Sequence, residues 1–182
     1  MRIIGGTHRG KKLASFDGED IRPTSDRVKE SLFNILSVKV GGASVLDLFC
    51  GSGNLGLESL SRGAAHAHFN DISKESLALL KKNISSMREE ASCTVTNYDY
   101  LTCLNNTKEK YDIIFLDPPY RLEYGVPALK AICDNDLLNE GGVVVYERDR
   151  AFSGESCKLE KYDERKYGKT YITFFKNREE KS

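Results

Sequence analysis

Two rhythms of apolar residues alternate along the chain. Short runs rich in apolar and β-branched residues occur at "SVLDLF" (44–49), "AAHAHFN" (64–70), "CTVTN" (93–97), "YDIIFLD" (111–117) and "GVVVYE" (142–147). Their length and content predict buried strands. Between them, "NLGLESLSR" (54–62), "SKESLALLKKNISSM" (73–87), residues 99–108 and "VPALKAIC" (126–133) predict helices. Ser73 suits an N-cap, and Pro127 falls in a first turn, where a missing N–H costs little. Upstream, "TSDRVKESLFNIL" puts Val28, Leu32, Ile35 and Leu36 on one face, which predicts an amphipathic helix from about Ser25. Two late runs, "KLEKYDERK" and "KTYITFFK", flank Tyr167-Gly168 and predict a closing antiparallel hairpin. Residues 1–14, with Gly5, Gly6 and Gly10, predict an extended arm or small hairpin, and "FDGED" (16–20) a loop.

Strand and helix therefore alternate five times, the pattern of a doubly wound α/β sheet with parallel strands and helices on both faces. We divide the chain into an N-terminal arm and helix, residues 1–40, and a sheet domain, residues 41–182. Sheets of this kind bind ligands beyond the carboxyl ends of their strands. Asp47, Asp71, Asp99 and Asp117 all fall at or just past those ends. Each alone is an ordinary strand-end or capping residue. Four on one rim point to a ligand.

Composition narrows the class without naming the chemistry. The chain has 182 residues, 40% hydrophobic and 30% charged, as in globular proteins. No apolar run approaches the ~20 residues that span a bilayer, and the start turns polar too soon for a secretory signal, so a cytoplasmic protein is expected. Five separated cysteines and three histidines (His8, His66, His68) predict neither a disulfide framework nor a metal site. Cys50 reads as a small residue at a crowded strand end. Net charge is zero, but it is unevenly spread. Residues 1–39 carry eight basic and five acidic residues, 40–146 nine and fourteen, and 147–182 ten and eight. The first twelve residues hold Arg2, Arg9, Lys11 and Lys12 and no acid. A basic arm on an acidic body suits an anionic partner.

The stretch "DLFCGSGNLG" carries Gly51, Gly53 and Gly56 in G-x-G-x-x-G spacing between a strand and a helix. That setting predicts a nucleoside-type cofactor, with Asp71, twenty residues after Gly51, on the ribose hydroxyls. A dinucleotide would lay its pyrophosphate on the helix N-terminus. S-adenosylmethionine has no phosphate and carries an ammonium and a sulfonium. Asp47, four residues before Gly51, repels the first and suits the ammonium of the second. Asp99 either hydrogen-bonds the adenine amino group or caps a helix.

The fourth strand runs into "DPPY". Prolines fix φ near −65° and lack N–H groups, so the turn is stiff and the Pro118 carbonyl is left as an acceptor. An exocyclic amine on a nucleobase is a poor nucleophile because its lone pair is delocalised. Asp117 and the Pro118 carbonyl can take its two N–H bonds and aim the nitrogen, with Pro119 stiffening the turn and Tyr120 stacking on an unstacked base. No metal and no covalent intermediate are needed.

"VLDLFCGSG", Asp71 and "DPPY", in that order, resemble the Rossmann-like amino-methyltransferases that use S-adenosylmethionine. "MRIIGGTHRGKKL" and "RPTSDRVKESLFNIL" narrow the resemblance to the bacterial RsmD family, which methylates the N2 amine of a guanine in 16S ribosomal RNA. The likeness runs from residue 1 to about 147. It implies a class I methyltransferase with a mostly parallel seven-stranded sheet, a C-terminal antiparallel hairpin and a small N-terminal extension. It implies donor contacts at Asp47, Phe49, Gly51, Ser52, Gly53, Asp71, Ile72, Asp99, Tyr100 and Asp117, and base contacts at Asp117–Tyr120. It further implies RNA contacts at Arg2, Arg9, Lys11, Lys12, Arg22, Thr24 and Arg27. The expected partner is 16S rRNA within a partly assembled small subunit, met by a monomer. Since D-P-P-Y also serves adenine-N6 methyltransferases, that activity is the alternative. A nicotinamide oxidoreductase explains the glycine loop but neither Asp47 nor D-P-P-Y, and a non-catalytic RNA-binding factor explains the arm alone.

Overall fold

Alternation within each central strand divides the molecule into two cores. Val45, Ile113, Phe115, Val143 and Val145 are buried in one apolar cluster, while their chain neighbours Leu46, Ile114, Leu116, Val144 and Tyr146 are buried in the other. Successive side chains on a strand point to opposite faces, so a sheet covered on both sides reads as a continuous apolar run. The computed structural model describes residues 1–16, 23–119, 123–154 and 157–178. Its elements are α1 (Pro23–Ile35), α2 (Ser37–Val40), β1 (Ser44–Asp47), α3 (Asn54–Ser61), β2 (His66–Asn70), α4 (Lys74–Met87), β3 (Cys93–Thr96), α5 (Tyr100–Asn106), β4 (Tyr111–Leu116), α6 (Gly125–Asp134), β5 (Leu138–Arg148), β6 (Leu159–Tyr167) and β7 (Thr170–Asn177).

The strands form one seven-stranded sheet in the order β3-β2-β1-β4-β5-β7-β6. β1 to β5 pair in parallel, and β7 runs antiparallel to both β5 and β6. This is the mostly parallel sheet with a closing hairpin that the sequence implies. β1 and β4 are neighbours, Asp47 pairing with Phe115, so the chain reverses direction across the sheet between them. That switch point is where such sheets take ligands.

Two features depart from the expected elements. α2, four residues long, is too short to show a period. β5 begins at Leu138 rather than Gly142, and its register with β4 shifts between Tyr111 and Ile113. Gly141 and Gly142 both lie inside the strand.

The N-terminal arm is a small hairpin. Arg2 bridges Lys12 antiparallel, and the Ile3 N–H donates to the Lys11 carbonyl at 2.9 Å. Ile3 and Leu13 are buried in the same cluster as Val45 and Phe115, with Leu32, Phe33 and Leu36 of the following segment. The described residues of this segment, 1–16 and 23–40, thus pack on one face of the sheet. A buried carboxylate fixes them there. Glu58 on α3 is fully buried and accepts the Ile4 and Gly5 N–H groups at 2.9 Å, the Arg62 Nε at 2.7 Å and the Lys29 Nζ at 3.1 Å. Lys29 also donates to the Arg2 carbonyl at 2.6 Å and to Asn54 Oδ1 at 2.8 Å. Burial pulls the Lys29 pKa down against the pull of Glu58.

Candidate active site

The carboxyl ends of β1, β2 and β4 frame a cavity of about 530 Å³. Asp71, Asp99, Asp117 and Glu147 line it, and no lysine or arginine is among its described lining residues. Phe49, Tyr98, Tyr100 and Tyr124 supply aromatic walls. Tyr100 and Tyr124 stack with centroids 4.6 Å apart, and Phe49 lies 5.5 Å from Tyr100. Ile72, 73% exposed, adds an apolar surface at the rim.

That donor set decides between cofactors. A pyrophosphate would meet four carboxylates and no countercharge. A cationic ligand meets carboxylates and aromatic faces, both of which attract positive charge. S-adenosylmethionine, a cation with apolar parts, fits such a lining.

Each acid reaches this rim by a different local device. Asp71 ends β2, where its Oδ2 accepts the Gly51 N–H at 2.9 Å and its Oδ1 the Ser73 N–H at 2.8 Å. It ties the glycine loop to the start of α4, which Ser73 caps through the Ser76 N–H. Asp99 caps α5, accepting the Leu101 and Thr102 N–H groups at 3.1 Å, and hydrogen bonds led by the Thr102 hydroxyl lower its pKa. It therefore caps a helix and also lines the cavity. Asn70, which sequence reasoning did not single out, is 1% exposed and braces three strand ends. Its amide donates to the Leu48 and Tyr98 carbonyls, and its Oδ1 accepts from the Thr96 hydroxyl and the Tyr98 N–H.

Asp47 differs from the expectation. It is 2% exposed, does not line the cavity, and its Oδ2 accepts the Gly56 N–H of α3 at 2.9 Å. A carboxylate at a helix start satisfies an N–H that has no partner within the helix. The structure gives Asp47 to the helix, and the cavity's acids are Asp71, Asp99, Asp117 and Glu147. Burial pushes its pKa up to about 7. Ser52 and Gly53 also turn away from the cavity. Ser52 Oγ faces Met1 Sδ at 3.8 Å, and Gly53 takes φ +95° where a Cβ would strike Leu80 at 2.5 Å. Gly56 lets α3 approach β2 so closely that a Cβ would sit 2.2 Å from the Phe69 ring. Of the expected loop contacts, Phe49 and Gly51 line the cavity.

Asp117 is exposed at the end of β4, Pro118 is buried beneath it, and both line the cavity with Pro119. Tyr120 and Arg22 lie outside the described residues, as does the side chain of Thr24. Tyr124 and Glu147 were not anticipated. Glu147 follows the rule that marked the other acids, a carboxylate at the end of a strand, here β5 beside β4.

The remaining candidates have structural partners. Cys50 is 6% exposed and burial pushes its thiol pKa far up, so it is no nucleophile. His68 meets the Tyr111 hydroxyl at 2.7 Å and Thr96 Oγ1 at 2.9 Å, and burial lowers its pKa. His66 meets Thr94 Oγ1 at 3.0 Å. Arg2, Arg9, Lys11, Lys12 and Arg27 are exposed, Arg2 in an ion pair with Asp26 at 2.8 Å. The arm adjoins the glycine loop, since Asn83 bonds both Ala14 backbone groups and the Ser52 carbonyl.

Comparison with known proteins agrees with this geometry. A family model described as "Conserved hypothetical protein 95" matches residues 1–176. The chain belongs to this family of S-adenosylmethionine-dependent methyltransferases. Among family relatives, it is 36% identical over 153 residues to "Ribosomal RNA small subunit methyltransferase D" of Haemophilus influenzae, covering 82% of this chain and 79% of that one. It is 34% identical over 183 residues to "Putative rRNA methyltransferase YlbH" of Bacillus subtilis, covering 98% and 100%. A solved structure, "Putative methyltransferase yhhF" from Escherichia coli, superposes with a TM-score of 0.88 at 32% identity over 97% of both chains. The fold is that of the class I methyltransferases.

Proposed function

We propose that this protein methylates the N2 amine of a guanine in small-subunit ribosomal RNA. The observation that carries the reading is an exposed carboxylate, Asp117, on a rigid proline turn at the edge of an acidic, aromatic cavity. The names of the family relatives supply the substrate class.

S-adenosylmethionine supplies an electrophilic methyl on a sulfonium. Asp117 and the Pro118 carbonyl accept the two N–H bonds of the base amine. Holding both bonds draws the lone pair out of conjugation and points it at the methyl carbon. As the new N–C bond forms and the C–S bond breaks, the nitrogen becomes cationic. Asp117 stabilises that charge and takes the released proton or passes it to water. Orientation and fixed electrostatics account for the rate, as they do wherever the reactive group comes ready-made. The aromatic walls and Ile72 shield the donor from water.

The exposed cations of the arm, Arg9, Lys11 and Lys12, are suited to RNA phosphates near the mouth of the site. Their partner would be 16S rRNA in a partly assembled subunit. The test is to treat small subunits from a strain lacking this enzyme with the protein and labelled S-adenosylmethionine. The RNA is then digested for mass spectrometry of nucleosides. N2-methylguanosine is expected. N6-methyladenosine, or no label, would overturn the reading.

A further inference from the structure

A second cavity, of about 550 Å³, opens on the other side of the proline turn. It shares Pro118 and Glu147 with the donor cavity, so its occupant lies against Pro118, one of the two residues proposed to hold the reacting amine, while Asp117 lines the donor cavity. Arg148, the last residue of β5, lines it. The guanidinium lies over two aromatic rings, 5.2 Å from the Tyr146 centroid and 5.5 Å from that of Phe152. Arg148 Nε is buried and has no hydrogen-bond partner among the described residues. A buried donor left unmade is costly, and the cost is relieved if the guanidinium turns to meet an acceptor that a ligand brings into the cavity.

The charges around Arg148 limit what that ligand is. Arg148 and Arg150 face Glu123, Glu147 and Asp149, and Arg150 is bonded to Glu123 at 2.7 Å. Among the described lining residues, two cations and three carboxylates leave a net negative charge, which disfavours a phosphodiester. They suit a neutral, flat molecule with acceptors on one edge and donors on another. Guanine has this form: O6 and N7 accept, while N1–H and the N2 amine donate. Adenine puts an amino donor where guanine has O6. The register is compatible. Leu116 pairs with Tyr146, so one step on Asp117 neighbours Glu147, and two steps on Pro118 neighbours Arg148. Neighbouring strands lie about 4.8 Å apart.

We infer that this cavity receives the target purine and that Arg148 donates to its O6/N7 edge while its amine lies at Asp117–Pro118. The inference rests on the methyl transfer proposed above and adds the residue that selects guanine over adenine. Arg148 is a specificity residue, set over the two rings, with its Nε lacking a partner among the described residues.

The test uses small-subunit RNA carrying 2-aminopurine at the methylated position. This base keeps the C2 amine and N7 but lacks O6. The wild-type protein should lose about 10–100-fold in kcat/KM on it relative to guanine. Arg148→Met should reduce the guanine rate to that level, treat the two bases alike, and keep its affinity for S-adenosylmethionine. A variant that discriminates as well as wild type would overturn the inference. So would equal losses on both bases with a flatter salt dependence, the mark of a phosphate contact. If Arg148→Met fails to fold, the wild-type comparison still decides, because equal rates on guanine and 2-aminopurine overturn the assignment. Methyl transfer to adenine, or to no base, would overturn both this and the proposed function. Transfer to guanine without loss on 2-aminopurine overturns this inference alone.

Discussion

The two sides of the proline turn are built on opposite plans. On the donor side, Asp71, Asp99 and Asn70 each bond to backbone N–H groups or carbonyls of neighbouring strands and helices. These groups are held in place with no ligand. On the base side, Asp117 stands exposed beyond its strand, and a guanidinium over two rings keeps one N–H without a partner among the described residues. The difference reflects what each side must recognise. A small cofactor of constant shape is served by a rigid, satisfied frame. A nucleobase presented by a large RNA is better told apart by a donor, here Arg148, whose hydrogen bond is made only with the right edge, because a wrong partner then leaves a buried polar group unmade.

Breaking the base side should have the largest effect on rate. Asp117→Ala is expected to lower kcat by about 10²–10³-fold, while the affinity for S-adenosylmethionine by calorimetry changes little. Full turnover in that variant would refute the mechanism. The donor side should respond in the other way. Asp71→Ala removes the acceptor for the Gly51 and Ser73 N–H groups, so S-adenosylmethionine affinity should fall by about 10–100-fold, with a lower melting temperature. A variant with weaker turnover but intact affinity would mean that Asp71 does not belong to the donor side. Replacing Arg9, Lys11 and Lys12 by glutamine should reduce the slope of log affinity for RNA against log salt by up to about 3, leaving S-adenosylmethionine binding alone. An unchanged slope would remove the arm from the RNA contact.

The smallest effect concerns Asp47, beneath both sides. Burial raises its pKa from 3.8 to about 7, so the folded state holds the proton more tightly than the unfolded chain. Stability from this group is therefore greatest at low pH and declines as pH rises between those two values. Asp47→Asn should flatten that decline in thermal melts recorded across the same range. An unchanged pH profile would mean that the carboxyl is not buried as described.

Much of the frame was legible because it follows from period. Continuous apolar runs mark strands covered on both faces, and a glycine loop between strand and helix marks the crossover beside β4. Ser73 could be read as a cap from its place before an apolar-periodic run. The failures share a cause. Whether a strand-end carboxylate looks into a cavity or under a helix depends on the face it falls on and on which N–H groups lack partners nearby. Asp47 shares the face of Val45 and meets α3, which no local pattern shows. Tyr124 matters through Tyr100, far away in sequence, and Arg148 through Tyr146 and Phe152, which are near in sequence but reach it only once β5 and the turn after it are folded. In sequence Arg148 is one of several charges in the run "ERDR". Its interest comes from the rings that hold it and from a partner it lacks.

Glu58 has a practical consequence for anyone dissecting the arm. Its carboxylate is neutralised by Lys29 and Arg62 and clasped by the amides of Ile4 and Gly5, while Lys29 leans on the Arg2 carbonyl. Deleting the first five residues would strip hydrogen bonds from a buried ion cluster and lay bare the core under Ile3. Truncation would then report on unfolding as much as on RNA. Side-chain swaps at the exposed cations leave this clasp whole and are the cleaner way to ask what the arm touches.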